Sequence, residues 1–508
     1  MKKNNVILFG FILLKFLLQY LLYNPDYDLH RDEYLHLDQA NHLAWGFQSV
    51  PPFMSWISYV IKLFGNGIFW VKFFPALFGA LTLLIVWKTI EELRGNLYAL
   101  ILGATCILFS VLLRTNFLFQ PNSFDVLCWT ALYFVLVKYI NTENTKWLFV
   151  GSFVFGIGFL NKYNIAFLLI GLFPAILLTN HRKIFLKKEF YFALAFGILI
   201  ISSNLFWQYE NGFPVIYHMK KLEETQLVNV NRIDFLKEQI LYFFAALPVI
   251  AASLYALFFY IPFKKFRLFF GSFVVTLVVF IYFKAKGYYA IGLYPIYFAF
   301  GAVFLGDKLA TGWKKYLMLV LILLPVLFTF YIKDLIAIKS PEFYLKNETK
   351  FKDLGLLRWE DGKNHPLPQD LADMKGWKEL TEKVDKIVDK LPNKNQTLIM
   401  CDNYGEAGAI NYYSKNKNLK AVSFNADYIN WIDFNSKIQN LIKVKEFENK
   451  SNELEKTGPF FETSFKADSI TNTFAREYGT VIFVFSGPKI DFNKKLKKEI
   501  EEYKNDQN

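Results

Sequence analysis

Two carboxylates stand side by side at Asp32 and Glu33, in the stretch HRDEYLHLDQ that runs from His30 to Gln39. A carboxylate within hydrogen-bond reach of a reacting hydroxyl can take its proton as a general base. Equally, Asp is among the best helix N-caps and Glu suits the positive end of a helix dipole, so Asp32 and Glu33 could do no more than start a helix. Asp26, Asp28 and Asp38 crowd the same region and fit a solvated acidic face. Perturbed carboxylates gather at functional sites, yet acidic loops are common, and spacing alone leaves both readings open. Four cations, Arg114, Lys162, Lys284 and Lys286, lie near the ends of apolar runs. Unpaired charge at membrane depth is costly and usually functional.

The elements that must position these groups are membrane helices. Of 508 residues, 54% are hydrophobic and 56 are Phe, against three cysteines. A span needs about 20 apolar residues, and eleven runs are read near 6–23, 68–90, 97–113, 123–140, 147–160, 163–179, 190–207, 238–260, 266–283, 289–306 and 315–333. The first has no small-residue cleavage site after it and carries Lys15, so it is expected to stay as an anchor. Lys88, Arg94, Lys138, Lys146, HRKIFLKK (His181 to Lys188), KKFR (Lys264 to Arg267), Lys308, Lys314 and Lys315 fall in alternate loops. That bias places the N-terminus in the cytoplasm and, with an odd number of spans, puts HRDEYLHLDQ and the C-terminal region outside. The net charge of +13 partly reflects this bias and calls for no nucleic acid.

The chain thus divides into a membrane domain, 1–333, with a first outer loop at 24–67, and an extracytoplasmic soluble α/β domain, 334–508. In the loop, Tyr34, Leu37, Ala44 and Trp45 share one side of a helix, which predicts an amphipathic segment lying on the membrane surface. VPPFMSWISYVIKLF (Val50 to Phe64) fits a second interfacial helix. Beyond 334, TLIMC (Thr397 to Cys401) and TVIFVF (Thr480 to Phe485) read as buried strands. GWKELTEKVDKIVDKLP (Gly376 to Pro392) repeats at helical spacing and stops at proline. Only Cys401 lies in this domain, so no disulfide framework is expected there.

Five stretches, in order along the chain, carry a resemblance. HRDEYLHLDQANHLAWGFQSVPPFMSWI, QPNSFDVLCW (Gln120 to Trp129), GIGFLNKYN (Gly156 to Asn164), KGYYAIGLYPIYFAFGA (Lys286 to Ala302) and NYGEAGAI (Asn403 to Ile410) resemble the bacterial family 39 glycosyltransferases. These are relatives of the dolichyl-phosphate-mannose protein mannosyltransferases and of the aminoarabinose transferase that modifies lipid A. The resemblance implies a polytopic α-helical membrane protein of GT-C type, with about eleven transmembrane helices and a C-terminal α/β domain. It implies transfer of a sugar, with inversion, from a polyprenyl-phosphate donor to an acceptor hydroxyl on a lipid, glycan or protein, at the outer face of a bacterial cytoplasmic membrane. In that family the acid pair of the first outer loop supplies the base, which falls on Asp32 with Glu33 as its neighbour.

A glycosyl phosphate also needs positive charge on the departing phosphate, commonly the larger effect in a water-poor site. Lys162 matches a family lysine, and Tyr288 or Tyr289 beside Lys286 matches a family tyrosine near the phosphate; a snorkelling lysine and an interfacial aromatic belt are the plainer accounts. Arg114 is a further phosphate candidate, or simply pairs with Asp125. His218, a possible acceptor or sugar contact, lies with Lys220 and Lys221 in a long outer loop where some relatives bind metal and phosphate; a solvated loop is the plainer account. Asn403, Tyr404 and Glu406 are possible acceptor or sugar contacts, with turn chemistry as the alternative. No metal is expected: Ser49 and Val50 precede Pro51 and Pro52 where the aminoarabinose transferase has a carboxylate and a lysine, and no Cys/His cluster has ligand spacing. A transporter or flippase shares the many spans, though paired halves are absent from the sequence. A surface-glycan polymerase or ligase using a diphosphate-linked donor shares the architecture.

Overall fold

The computed structural model describes residues 3–309, 311–333, 339–446 and 452–505. The expected domain boundary at 333/334 and residue 508 lie against or outside the described residues. Each of the eleven apolar runs carries a helix. Among the described residues six helices are long and apolar enough to cross a membrane: Asn4–Leu21, Ile68–Glu92, Pro121–Thr142, Lys188–Glu210, Ile261–Tyr282 and Gly312–Tyr331. Three bent pairs bring the number to as many as nine, and Leu97–Leu108 and Lys146–Asn161 are shorter apolar helices. Without water to satisfy the backbone, a chain this apolar folds into helices wherever it meets hydrocarbon.

The C-terminal region builds a five-stranded sheet from β1 (Thr397–Cys401), β2 (Ala421–Ser423), β3 (Asn440–Lys445), β4 (Phe461–Ser469) and β5 (Val481–Pro488), in the order β2-β1-β3-β5-β4. β1 runs parallel to β2 and β3, while β5 is antiparallel to β3 and β4. Side chains alternate between faces along a strand. Leu398, Leu441, Phe483 and Phe485 therefore meet Phe492, Leu496 and Ile500 of the Phe492–Asn505 helix. Ile399, Cys401, Ile442, Val444, Ile482 and Val484 face the other way, into a core shared with Trp377, Leu380 and Val384 of the Trp377–Val388 helix. That second core also takes in Leu29, Tyr34, Leu35 and Leu37 of the first long loop.

The loop therefore sits differently from its expected place on the membrane surface. Its helix, Arg31–Gln39, ends before Ala44 and Trp45, and every residue from Glu33 to Gln39 is buried. The Tyr404–Tyr413 helix covers it. Tyr34 meets the rings of Trp377 at 5.9 Å and of Tyr412 and Tyr413 at 5.7 Å each. Gly408 permits the approach, since a Cβ there would stand 2.7 Å from both Tyr34 Cβ and the Tyr428 hydroxyl. Periodicity marks an apolar face but not its partner, and here the partner is protein. The second loop helix, Phe53–Leu63, forms where expected.

Candidate active site

The N-cap of the Arg31–Gln39 helix is His30, not Asp32. Its Nδ1 accepts from the Asp32 backbone N–H at 3.2 Å, and Glu33 Oε2 accepts from the His30 N–H at 2.8 Å, closing a capping box. Glu33 is fully committed. Lys72 Nζ stands 2.7 and 2.9 Å from its two oxygens, the Phe119 N–H donates to Oε1 at 2.7 Å, and the side chain has no exposure.

Asp32 faces the other way. Its side chain is 34% accessible, in a recess whose walls include Tyr404, Gln120 and His30. Tyr404 donates its hydroxyl to Oδ1 at 2.6 Å, and Gln120 Nε2 donates to Oδ2 at 2.9 Å. Burial works against the carboxylate, but His30, Arg31, the Tyr404 hydrogen bond and His36 outweigh it and hold Asp32 below its ordinary range. The Arg31 guanidinium lies 4.5 Å from the centre of the Tyr404 ring. Burial likewise disfavours a charge on His30, but Asp32 and Asp373 raise it to about 9. His30 Nε2 is 3.5 Å from Asp373 Oδ2, and Arg476 binds the other oxygen, Oδ1, at 3.0 Å. Capping and charge are alternatives for this ring, because a protonated Nδ1 cannot accept.

A continuous chain of hydrogen bonds leads from Asp32 to Lys162. Gln120 donates to Asp32; Asn122 Nδ2 donates to Gln120 Oε1 at 3.1 Å; Lys162 Nζ donates to Asn122 Oδ1 at 2.7 Å. Gln120 caps and Asn122 opens the Pro121–Thr142 helix, and Lys162 caps the end of Lys146–Asn161. The Lys162 ammonium sits over the rings of Tyr289 at 4.5 Å and Tyr288 at 5.3 Å. Tyr288 is within electrostatic reach of Asp32 and Glu360. Lys286 pairs closely with Glu360 and with the Gln226 side-chain oxygen, and lies 5.9 Å from the Tyr288 ring.

Other candidates fall elsewhere. Arg114 pairs with Asp370 at 3.6 Å, not with Asp125, whose oxygens take hydrogen bonds from Trp129 and Asn164. Lys284 lines an open cleft of about 600 Å³ with Arg232, Asn229 and Arg358, whose walls do not include Asp32. His218 is lowered by burial and by Lys221 and Lys286, surroundings that repel a metal cation. Among the described residues no three His, Cys, Asp or Glu side chains are placed to hold a metal ion. Asn403 and Glu406 form a buried capping box for the Tyr404–Tyr413 helix, and Asn403 donates to Glu446 and Glu477. Of that trio only Tyr404 touches the site. His30, Lys72, Gln120, Asn122 and Asp373 were not singled out in the sequence; Gln120 and Asn122 lie inside QPNSFDVLCW, the one signal that pointed at them.

The family model for dolichyl-phosphate-mannose-protein mannosyltransferase matches residues 49–207, which hold Gln120, Asn122 and Lys162. No curated protein sequence matches the chain. The fold matches ArnT from Cupriavidus metallidurans bound to undecaprenyl phosphate, with a TM-score of 0.61, 12% identity, and coverage of 96% of this chain and 100% of that one. The apo state of the same protein gives 0.63 at 11% identity, covering 96% and 99%. The Archaeoglobus fulgidus oligosaccharyltransferase tethered to an acceptor peptide gives 0.50 at 12% identity, covering 83% of this chain and 64% of that one. The fold, together with the matched segment, makes this chain a multi-pass membrane protein of the GT-C architecture shared by ArnT-type glycosyltransferases.

Proposed function

We propose that the protein transfers a sugar from a polyprenyl-phosphate donor to an acceptor hydroxyl, with Asp32 as the base and Lys162 and Lys286 on the donor phosphate. The observation that carries this reading is the unbroken chain Asp32–Gln120–Asn122–Lys162, which joins a carboxylate and a cation across one recess. Asp32 takes the acceptor proton as the hydroxyl oxygen attacks the anomeric carbon; the bond from that carbon to the phosphate oxygen breaks, and the lysines balance the charge left on phosphate. One displacement inverts the anomeric centre. The rings of Tyr288 and Tyr289 against the Lys162 ammonium support a part for them at the same phosphate.

Glu33 belongs to the frame. With every lone-pair direction taken by Lys72, His30 and Phe119, it positions the helix that carries Asp32. The lysine bias of alternate loops supports a cytoplasmic N-terminus in a bacterial inner membrane, with the recess and the C-terminal α/β region (334–508) on the outer side. That a solved relative binds undecaprenyl phosphate supports the donor class.

The test is transfer of labelled sugar from defined polyprenyl-phosphate sugars by purified protein in nanodiscs. Turnover with a monophosphate donor, lost in Lys162→Ala with the fold intact, is the expected result. Turnover only with diphosphate-linked donors, or movement of lipid without transfer, would replace this reading.

A further inference from the structure

We propose that Tyr404, from the C-terminal region, is a positioning residue for the base: its phenol fixes the Asp32 carboxylate in the orientation that meets the acceptor hydroxyl. The proposal rests on the reading of Asp32 as the base. A carboxylate tethered at one oxygen can turn about its χ2 bond, a broad torsion. Asp32 is tethered at both, by Tyr404 on Oδ1 at 2.6 Å and by Gln120 on Oδ2 at 2.9 Å. A rotation would break two charge-assisted hydrogen bonds at once, which leaves only the remaining lone pairs to receive substrate.

The tyrosine is itself held on several sides. Asn403 caps its helix one residue before, and Glu406 closes the box by accepting from the Asn403 N–H at 3.3 Å. Gly405 lets the first turn press onto the Arg31–Gln39 helix, since a Cβ there would stand 3.1 Å from Arg31 Cβ and 3.0 Å from the Trp377 ring. Arg31 covers the face of the Tyr404 ring. The hydroxyl thus arrives at Asp32 from a turn with little freedom of its own.

A shifted acid limb shows that the phenol bonds Asp32 in solution, and a loss of kcat on the pH plateau, where Asp32 is ionised in both proteins, shows that the bond also orients it. The groups facing Asp32 are His30, Arg31 and His36 from its own segment, Gln120 from the neighbouring helix start and Tyr404 from the C-terminal region, with Tyr288 within electrostatic reach. Losing the phenol hydrogen bond removes a donor that favours the carboxylate, so the acid limb of the rate profile moves to higher pH.

The experiment is the pH dependence of kcat and kcat/KM for the full chain in nanodiscs. Tyr404→Phe keeps the ring and its Arg31 contact; kcat is expected to fall about tenfold or more with donor KM little changed, and the acid limb to rise. Incorporating 3-fluorotyrosine at 404 keeps the shape and strengthens the donor, so the limb moves down; this arm stands even where Tyr404→Phe does not fold. An acid limb that stays put in both overturns the proposal, as does a raised acceptor KM with a fixed limb, which makes Tyr404 a substrate contact. Asp32→Asn separates the two failures. If it stays active, the base is misassigned; if it is dead while Tyr404→Phe behaves as the parent, the base stands and its positioning by Tyr404 falls.

Discussion

Asp32 and Glu33 are the same chemistry one residue apart, and burial gives them opposite work. Asp32→Asn should leave the fold intact, because Asn keeps the size and shape of a side chain that is one-third accessible, while turnover per folded molecule drops by roughly 10² to 10⁴. Glu33→Gln should fail differently. It strands Lys72 beside a neutral amide, and breaking a buried ion pair costs about 3 to 5 kcal/mol. A thermal unfolding scan of the two variants, read beside activity per folded protein, tells them apart; a stable Glu33→Gln with low turnover would return Glu33 to the chemistry. His30 adds a pH signature. Its folded value of about 9 lies above the free value of about 6.5, so its contribution to stability is complete below about 6.5 and is lost as pH rises through about 9. His30→Gln should flatten that part of the stability profile, measured by melting temperature from pH 6 to 10.

At the scale of elements, the helices that cross hydrocarbon were legible because an apolar run long enough to span has one way to satisfy its backbone. Two of the five strands, β1 and β5, were legible for a related reason, since their apolar residues are packed on both faces, whereas β2 and β3 are short or mixed and β4 is largely exposed, so these three went unread. The Arg31–Gln39 helix was misplaced, because an apolar stripe looks the same whether lipid or protein covers it. The site's partners were the least legible: Gln120 and Tyr404 reach Asp32 from 88 and 372 residues away, and no local spacing encodes such meetings. Close helix packing yields a prediction at this scale. Gly408→Ala pushes a methyl group into Tyr34 and should cost about 1 to 3 kcal/mol, with a parallel loss of turnover. The loop carrying Glu360 gives another. Its carboxylate, 41% exposed, pairs with Lys286, and a donor phosphate must compete with it. Such pairs are worth about 1 kcal/mol or less, so Glu360→Gln should tighten polyprenyl-phosphate binding by up to about fivefold, as read by titration in detergent. Weaker binding would mean that Glu360 helps to build the phosphate seat.

For the whole molecule, the orientation is the exposed claim. The lysine bias of alternate loops predicts that the two ends lie on opposite sides of the membrane. A C-terminal phosphatase fusion should be active and a C-terminal green fluorescent fusion dark; the reverse pair would turn the molecule over. The bond between Tyr404 and Asp32 reaches further than geometry. A ribosome adds about 5 to 20 residues per second, so the 372 positions between them amount to roughly 20 to 75 seconds of translation. Throughout that interval Asp32 has been made while its Tyr404 partner has not. If Tyr404 positions the base as proposed, a chain stopped ahead of position 404 should insert yet transfer sugar at least about tenfold more slowly per folded molecule than the full chain.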